Sequence, residues 1–171
     1  MNFIETDCKE PAKTGNTFGI CDNQDGSRAF RSLTDTEKWV AKVTNNMNFA
    51  ISFTAIDNCI IIFKEGTKDK ESTCDGMLTF HESLYLVELK KQGTGGWLPD
   101  AKSQLENTIK LLHENHDLSV FKYKKAYACN KKHPYFTVID AAERKAFFEK
   151  TNGFRIDAQT EIVIKKNPNN S

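Results

Sequence analysis

Two carboxylates and a lysine have a spacing that could support metal-dependent chemistry. Asp75 is followed after a twelve-residue gap by Glu88, and Leu89 separates Glu88 from Lys90. Because alternate residues of a strand point to the same face, Glu88 and Lys90 are predicted to be neighbours. Two buried carboxylates repel each other unless a cation joins them, and oxygen ligands suit Mg²⁺ or Mn²⁺. The pattern predicts a divalent-metal site that could activate water and stabilise charge on a phosphate.

The segments that carry these residues predict how the site would be assembled. Residues 73–80 and 84–90 both have the composition of strands, and the second is apolar on both faces, as in the middle of a covered sheet. If the two strands form a hairpin, the beginning of the first lies beside the end of the second. Asp75 is then expected next to Glu88 and Lys90.

The remaining segments predict an α/β fold with a mixed central sheet flanked by helices. A capping-box pattern at Thr34 predicts a first helix that ends near Asn45, and the apolar spacing of residues 100–113 predicts a second. A third helix is expected between Asp140 and Gly153. Further strands are predicted at residues 49–56, 59–63, 120–129 and 156–164.

Length and composition limit the class of protein. The 171 residues suit one domain, residues 1–171, with an irregular segment at 1–30 and a frayed tail at 165–171. The 24 basic and 23 acidic residues give a net charge of +1, which argues against nucleic-acid binding by bulk charge. Without an apolar run of about 20 residues or a signal-peptide pattern, a cytoplasmic protein with no membrane partner is expected. The five cysteines, which include no CxxC pair, are predicted to be reduced.

The pattern of Asp75, Glu88 and Lys90 resembles that of the PD-(D/E)XK nuclease superfamily, which has the restriction-endonuclease-like fold. The resemblance implies that Asp75, Glu88 and the Leu89 carbonyl bind Mg²⁺ or Mn²⁺. It also implies that Lys90 orients the attacking water or the phosphate. Gln104 resembles the glutamine that supports the site from the next helix in many members of the superfamily.

The resemblance covers residues 34–129 and departs from the family pattern in two ways. Cys74 replaces the proline before Asp75, and Asp75 lies early in its predicted strand, which leaves its register open. Glu37 could supply a further acid, but a role as helix cap is sufficient to explain it. The alternative for Glu88 and Lys90 is a surface ion pair, worth about 0–1 kcal/mol. The apolar residues before Glu88 argue against a surface strand.

Residues 118–139 contain no Asp or Glu and predict a nucleic-acid interface. Lysines can contact phosphates, and the interleaved aromatic residues can stack on unpaired bases. The alternative is a solvated sheet edge on which lysines prevent aggregation. The candidate lysines are Lys122, Lys124, Lys125, Lys131 and Lys132.

The resemblance therefore implies a metal-dependent nuclease that hydrolyses phosphodiester bonds in nucleic acid and could form a homodimer. It favours DNA over RNA as the expected substrate, without deciding between the two. The alternative is a non-catalytic member of the same fold that binds nucleic acid or protein, such as a partner subunit or an immunity-type protein. Binding of a divalent metal would separate the two functions.

Overall fold

Two sheets and two α-helices make up the regular structure of residues 1–135 and 137–165, which the computed structural model describes. The helices are α1 (Trp97–Asn115) and α2 (Ala141–Lys150), and short 3₁₀ turns occur at Thr36–Lys38 and Leu118–Val120. The strands are β1 (Thr17–Cys21), β2 (Phe30–Ser32), β3 (Ala41–Thr44), β4 (Ser52–Ala55), β5 (Gly76–Phe80), β6 (Ser83–Lys90), β7 (Tyr123–Asn130), β8 (Arg155–Ala158) and β9 (Glu161–Val163).

The larger sheet is mixed, as the sequence predicts. Its strand order is β4-β5-β6-β7-β8, with antiparallel pairing from β4 to β6 and parallel pairing from β6 to β8. A tight turn joins β5 to β6, whereas α1 and α2 supply the crossovers that the parallel pairs require. The smaller sheet has the order β2-β1-β3-β9.

Strand β6 is covered on both faces, which confirms the prediction from its apolar composition. Leu84 and Leu86 share a core cluster with residues of α1, including Leu105. Tyr85 and Val87 belong to the core between the two sheets. Parallel strands of this kind are buried on both sides, so a charged residue on β6 has little access to water.

The predicted helix from Thr34 to about Asn45 is wrong. Asp35 has a left-handed backbone with φ of 51°, and only a 3₁₀ turn follows it. Strand β3 then begins, with Ala41 and Val43 buried and Lys42 exposed. This alternation is the two-residue period of a half-buried strand. The predicted segment contains too few apolar residues for their spacing to distinguish a helix from a strand.

Three other predicted segments differ from the structure. Residues 1–30 are not wholly irregular, because β1 and the first residue of β2 lie among them. Residues 59–63 form no strand, and residues 156–164 divide between β8 and β9 of different sheets. Of the predicted frayed tail, residues 166–171 lie outside the described part of the chain. The other strands and the second and third helices are confirmed, including the Asp140 carboxylate that accepts from the Glu143 N–H at 2.8 Å.

A disulfide joins Cys8 to Cys59, so the prediction of reduced thiols is wrong for this pair. The remaining cysteines, Cys21, Cys74 and Cys129, are free and buried. The bond ties the N-terminal segment to the loop after β4. Its partners are 51 residues apart, a separation that gives no local sequence pattern for their pairing.

Replacing Cys8 and Cys59 by serine should lower the free energy of unfolding by about 4 kcal/mol. The estimate is the loop-closure entropy of a cross-link over 51 residues. Denaturant unfolding of the double variant measures the loss. Thiol titration of the denatured wild-type protein should count three thiols without reductant and all five with it. Five thiols without reductant would contradict the disulfide.

Neither α-helix in the described ranges combines the length and the apolar character needed to span a membrane.

Candidate active site

Asp75, Glu88 and Lys90 come together at the carboxyl end of β6. Asp75 immediately precedes β5, whose first residue, Gly76, pairs with Val87 of β6. The backbone ladder ends at this pair, and one residue further on a carboxylate oxygen of Asp75 accepts from the Leu89 backbone N–H at 2.6 Å. The hairpin register therefore sets Asp75 beside Glu88.

Gln104 of α1 joins the same group through Lys90. The Lys90 ammonium lies 3.1 Å from a carboxylate oxygen of Glu88 and donates to the Gln104 side-chain oxygen at 2.6 Å. The Gln104 amide in turn donates to the Thr73 carbonyl at 3.2 Å. The lysine is thus held between a strand and a helix, and its side chain keeps 18% of its surface exposed.

A threonine fixes α1 against the segment that carries Asp75. The Thr108 hydroxyl donates to the Gln104 carbonyl at 2.8 Å and accepts from the Cys74 N–H at 2.7 Å. Thr108 and Cys74 are fully buried, so the bond between them replaces contacts with water that folding has removed. Through these two bonds Thr108 helps to fix the position of Gln104 relative to Asp75, which follows Cys74 in the chain.

The two carboxylates are almost fully buried, with 7% of Asp75 and 2% of Glu88 exposed. Burial raises the pKa of Asp75 to about 7, against the opposing effect of the Leu89 N–H. Burial also raises the pKa of Glu88 well above its usual value; the charge of Asp75 adds to this increase and Lys90 opposes it. Perturbed carboxyl groups of this kind are typical of functional sites, although structural ion pairs can produce them too.

One oxygen of Glu88 has no hydrogen-bond partner among the described residues. The second carboxylate oxygen, Oε2, is buried without a donor, whereas Oε1 contacts Lys90. An unsatisfied buried acceptor costs about 1–3 kcal/mol, and more when it is charged. A proton or a cation bound to Oε2 would remove that cost.

Two further carboxylates, Asp22 and Asp57, influence the site and were missed by sequence reasoning. Both contribute to the raised pKa of Asp75, and burial raises the pKa of Asp57 itself. Asp57 is held near Asp75 because its N–H donates to the Cys74 carbonyl at 3.1 Å. Asp22 directly follows β1 of the smaller sheet, and its carbonyl accepts from the Lys91 ammonium at 2.7 Å.

Both missed residues follow the end of a strand, and this position is the sign of a possible site residue that the sequence carries. Asp57 lies between two of the predicted strands, and Asp22 lies in the segment predicted to be irregular. Their position next to Asp75 depends on the pairing of β4 with β5 and on the approach of the two sheets. Neither relation can be deduced from local sequence patterns.

The donor atoms at this corner suit a hard cation. Within the described ranges, no three His, Cys, Asp or Glu side chains form a ready-made metal-binding group. Mg²⁺, however, usually needs only one or two carboxylates and keeps several waters. Asp75 and Glu88 supply two, and the Leu89 carbonyl faces Asp75 because a strand residue directs its N–H and C=O to the same edge. With the unpartnered oxygen of Glu88, this donor set fits Mg²⁺ or Mn²⁺.

The structure does not bring the five candidate lysines of the predicted nucleic-acid interface to one place. Three of them lie at or just before the beginning of β7, namely Lys122, Lys124 and Lys125. The other two, Lys131 and Lys132, follow the end of the strand about 23 Å away. Lys124 and Lys125 are consecutive in β7 and point to opposite faces, and Lys122 forms an ion pair with Glu82 at 3.1 Å.

Two lysines of the predicted interface lie at the site end of β7. Lys131 and Lys132 directly follow that strand, and the Lys131 N–H donates to the Lys90 carbonyl at 2.8 Å. The Lys131 ammonium donates to the Glu37 carbonyl, so Glu37 acts here through its backbone. Glu37 does not cap a helix, because only a 3₁₀ turn forms at its position.

Comparison with known proteins gives no relative. No family model matches this chain, and neither a curated protein nor a solved structure matches it significantly. The functional assignment therefore depends on the fold and on the geometry of the site.

Proposed function

We propose that this protein is a metal-dependent nuclease that hydrolyses phosphodiester bonds in nucleic acid. The observation that supports it best is the meeting of Asp75, Glu88 and Lys90 at one end of a buried strand, where Glu88 keeps an unpartnered oxygen. Two carboxyl groups and an amine are costly to bury together. A site that must hold a cation next to a phosphate gives a reason for that cost.

The proposed roles follow from the position of each group. Asp75, Glu88 and the Leu89 carbonyl would hold Mg²⁺ or Mn²⁺. Such an ion lowers the pKa of bound water and neutralises charge that develops on a phosphate. Lys90, whose ammonium is fixed by Glu88 and Gln104, would donate to a phosphate oxygen or to the attacking water. In the overall reaction water adds to phosphorus, and the ester oxygen that leaves takes up a proton.

The order of elements supports a restriction-endonuclease-like arrangement as part of this proposal. Antiparallel strands β4, β5 and β6 are followed by helix α1 and the parallel strand β7. Asp75 precedes the middle strand, Glu88 and Lys90 end the next strand, and Gln104 lies on the helix. The preference for DNA and the ability to form a homodimer are carried by the sequence resemblance alone.

The polar side chains of the candidate site already have partners within the protein, and this favours a second candidate function. Lys90 is already paired with Glu88 and Gln104, and Asp75 already accepts from the Leu89 backbone. In a non-catalytic binding protein of the same fold, this cluster would be purely structural. The two functions differ in whether the carboxylates bind a divalent ion.

Replacing Lys90 by methionine should reduce metal-dependent cleavage by about 100-fold or more, the usual effect of losing one charge-stabilising donor. Binding of Mn²⁺ should persist, because lysine has no acceptor for a cation. Cleavage is measured on single- and double-stranded DNA and RNA. Lys110→Met, at an exposed position of α1, is the matched control and should retain wild-type activity. Absence of metal-dependent cleavage by the wild-type protein on all four substrates would contradict the proposed function.

A further inference from the structure

A cluster of basic residues lies away from the candidate active site, in a groove between α2 and the edge strand β8. The groove has a volume of about 380 Å³. Strand β8 is the last strand of the larger sheet, and in the described part of the chain its outer edge is met only by the isolated bridge between Thr137 and Ala158. The charged residues that line the groove are Lys125, Arg144, Lys145, Arg155 and Asp157. Four cations thus share the groove with a single carboxylate.

The carboxylate is already engaged. A carboxylate oxygen of Asp157 lies 2.9 Å from the Arg144 guanidinium, which also donates to the Ile139 and Ile156 carbonyls. Arg144 therefore holds α2 to β8 and uses much of the negative charge of Asp157. Lys145 forms only a long, exposed ion pair with Glu149 at 4.0 Å, which is weak in water, so Lys145 and Arg155 leave a net positive charge at this groove.

The excess of positive charge extends to half-buried Lys125. Burial lowers the pKa of Lys125, and the neighbouring charges of Lys165, Arg155 and Arg144 lower it further, against Asp157. Like charges at this density repel one another, and an anion in the groove would relieve the repulsion. The charges that line the groove therefore favour a negatively charged ligand.

An aromatic side chain in the same groove indicates what kind of anion fits. Phe148 is 39% exposed, and the guanidinium of Arg155 lies 5.0 Å from the centre of its ring. Exposed aromatic rings and planar guanidinium groups are the surfaces on which unpaired bases stack. An acidic peptide would use the charges but would have no need of the stacking surface.

We propose that the groove between α2 and β8 binds a single strand of nucleic acid, with Lys145 and Arg155 at its phosphates and Phe148 under one base. The proposal rests on the proposed function in so far as it takes nucleic acid as the partner. The groove and the candidate active site belong to one sheet, since Arg155 pairs with Lys125 and Glu88 pairs with Ala128 on the same strand, β7. Lys125 and Arg155 share the sheet face of Tyr85, which is turned towards the smaller sheet, whereas Glu88 shares the opposite face with Leu86 and is turned towards α1. The groove is therefore a binding site separate from the candidate active site.

Binding of oligo(dT) in EDTA, measured by fluorescence anisotropy over a range of salt concentrations, tests the groove without any metal. The double variant Lys145→Gln/Arg155→Gln should bind about tenfold more weakly at 0.1 M salt, and its salt slope should fall by about 1.4, since each single-strand phosphate contact contributes about 0.7. The matched control is Lys102→Gln/Lys110→Gln on α1, which removes the same charge elsewhere and should bind as the wild type does. Arg144 is left intact because it holds α2 in place.

Phe148→Ala separates a nucleic-acid site from a general anion site. It should weaken oligo(dT) binding by about fivefold or more but leave binding of an abasic strand of equal length unchanged, because only stacking is lost. Equal loss on both strands, or no loss on either, would overturn the stacking role. Equal affinities of the two double variants, or no binding by the wild-type protein, would overturn the groove as a nucleic-acid site. Failure of the proposed nuclease would appear separately, as oligonucleotide binding without metal-dependent cleavage.

Discussion

Mn²⁺ at a hundred times its Kd should raise the free energy of unfolding of the wild-type protein by about 2.7 kcal/mol, and Glu88→Gln should abolish that gain. An ion that binds the folded state alone stabilises it by mass action. Glu88 offers a buried oxygen without a partner, and Asp75 lies beside it, so removing the Glu88 charge removes a principal ligand. Thermal and denaturant unfolding with and without Mn²⁺ measure the effect.

Two further variants make this result specific. Asp75→Asn should abolish the metal-induced gain as well, and without metal it should cost little stability or even add some, because one of two repelling charges is lost. Glu82→Gln is the matched control, since Glu82 lies in the turn of the same hairpin and is exposed, with a surface ion pair to Lys122. It should retain the full gain from Mn²⁺.

The purely structural cluster predicts the opposite pattern. Mn²⁺ would then leave the wild-type protein unchanged, and Glu88→Gln would cost stability because its pairing with Lys90 is lost. Calorimetric titration with Mn²⁺ of the wild-type protein and the Asp75 variant distinguishes the two. Equal weak heats in both would identify the charges as structural and remove the main support for a nuclease.

In metal-free buffer the free energy of unfolding should fall by about 4 kcal/mol, through Asp75 alone, as the pH rises from about 4 to about 7. The folded-state pKa of Asp75 is raised from 3.8 to about 7, so in this range the folded chain holds a proton that the unfolded chain has released. Stability falls with pH wherever the folded state binds more protons. The magnitude follows from about three pKa units at 1.36 kcal/mol each.

The comparison of wild type with Asp75→Asn isolates this contribution. Glu88 titrates in the same direction, because burial and the Asp75 charge raise its pKa too, so the variant should keep a shallower decline. Denaturant unfolding in EDTA between pH 4 and pH 8 gives both curves. Parallel curves would show that Asp75 is charged throughout this range in the folded protein. A saturating divalent ion should flatten the wild-type curve, since the ion takes the place of the proton.

Local patterns predicted the part of the site that is local in the chain. The apolar faces of β6, the turn to β5 and the helical spacing of α1 all lie within short windows, and together they place Asp75, Glu88, Lys90 and Gln104. What the sequence could not give were relations between distant segments. The smaller sheet pairs β3 with β9 from the other end of the chain, so its residues had no local sign of their partner.

The contributions of Asp22 and Asp57 were missed for the same reason. A carboxylate raises the pKa of a neighbour only after tertiary structure has brought the two together, and neither residue is near Asp75 in the sequence. The wrong helix at Thr34 has a different cause. A few apolar residues at mixed spacing fit a helix or a strand, and pairing with β1 decided for the strand.

The contact between Asp22 and Lys91 spans 69 residues, and this separation affects the order in which the site is completed. The hairpin of β5 and β6 closes a short loop and can form early. The approach of β1 closes a much longer loop, and the entropic cost of closing it is larger. We therefore expect Asp75 and Glu88 to become adjacent before Asp22 joins them. Since the Asp22 charge disfavours the charged form of Asp75, a bound cation or proton is expected to ease the docking of the two sheets.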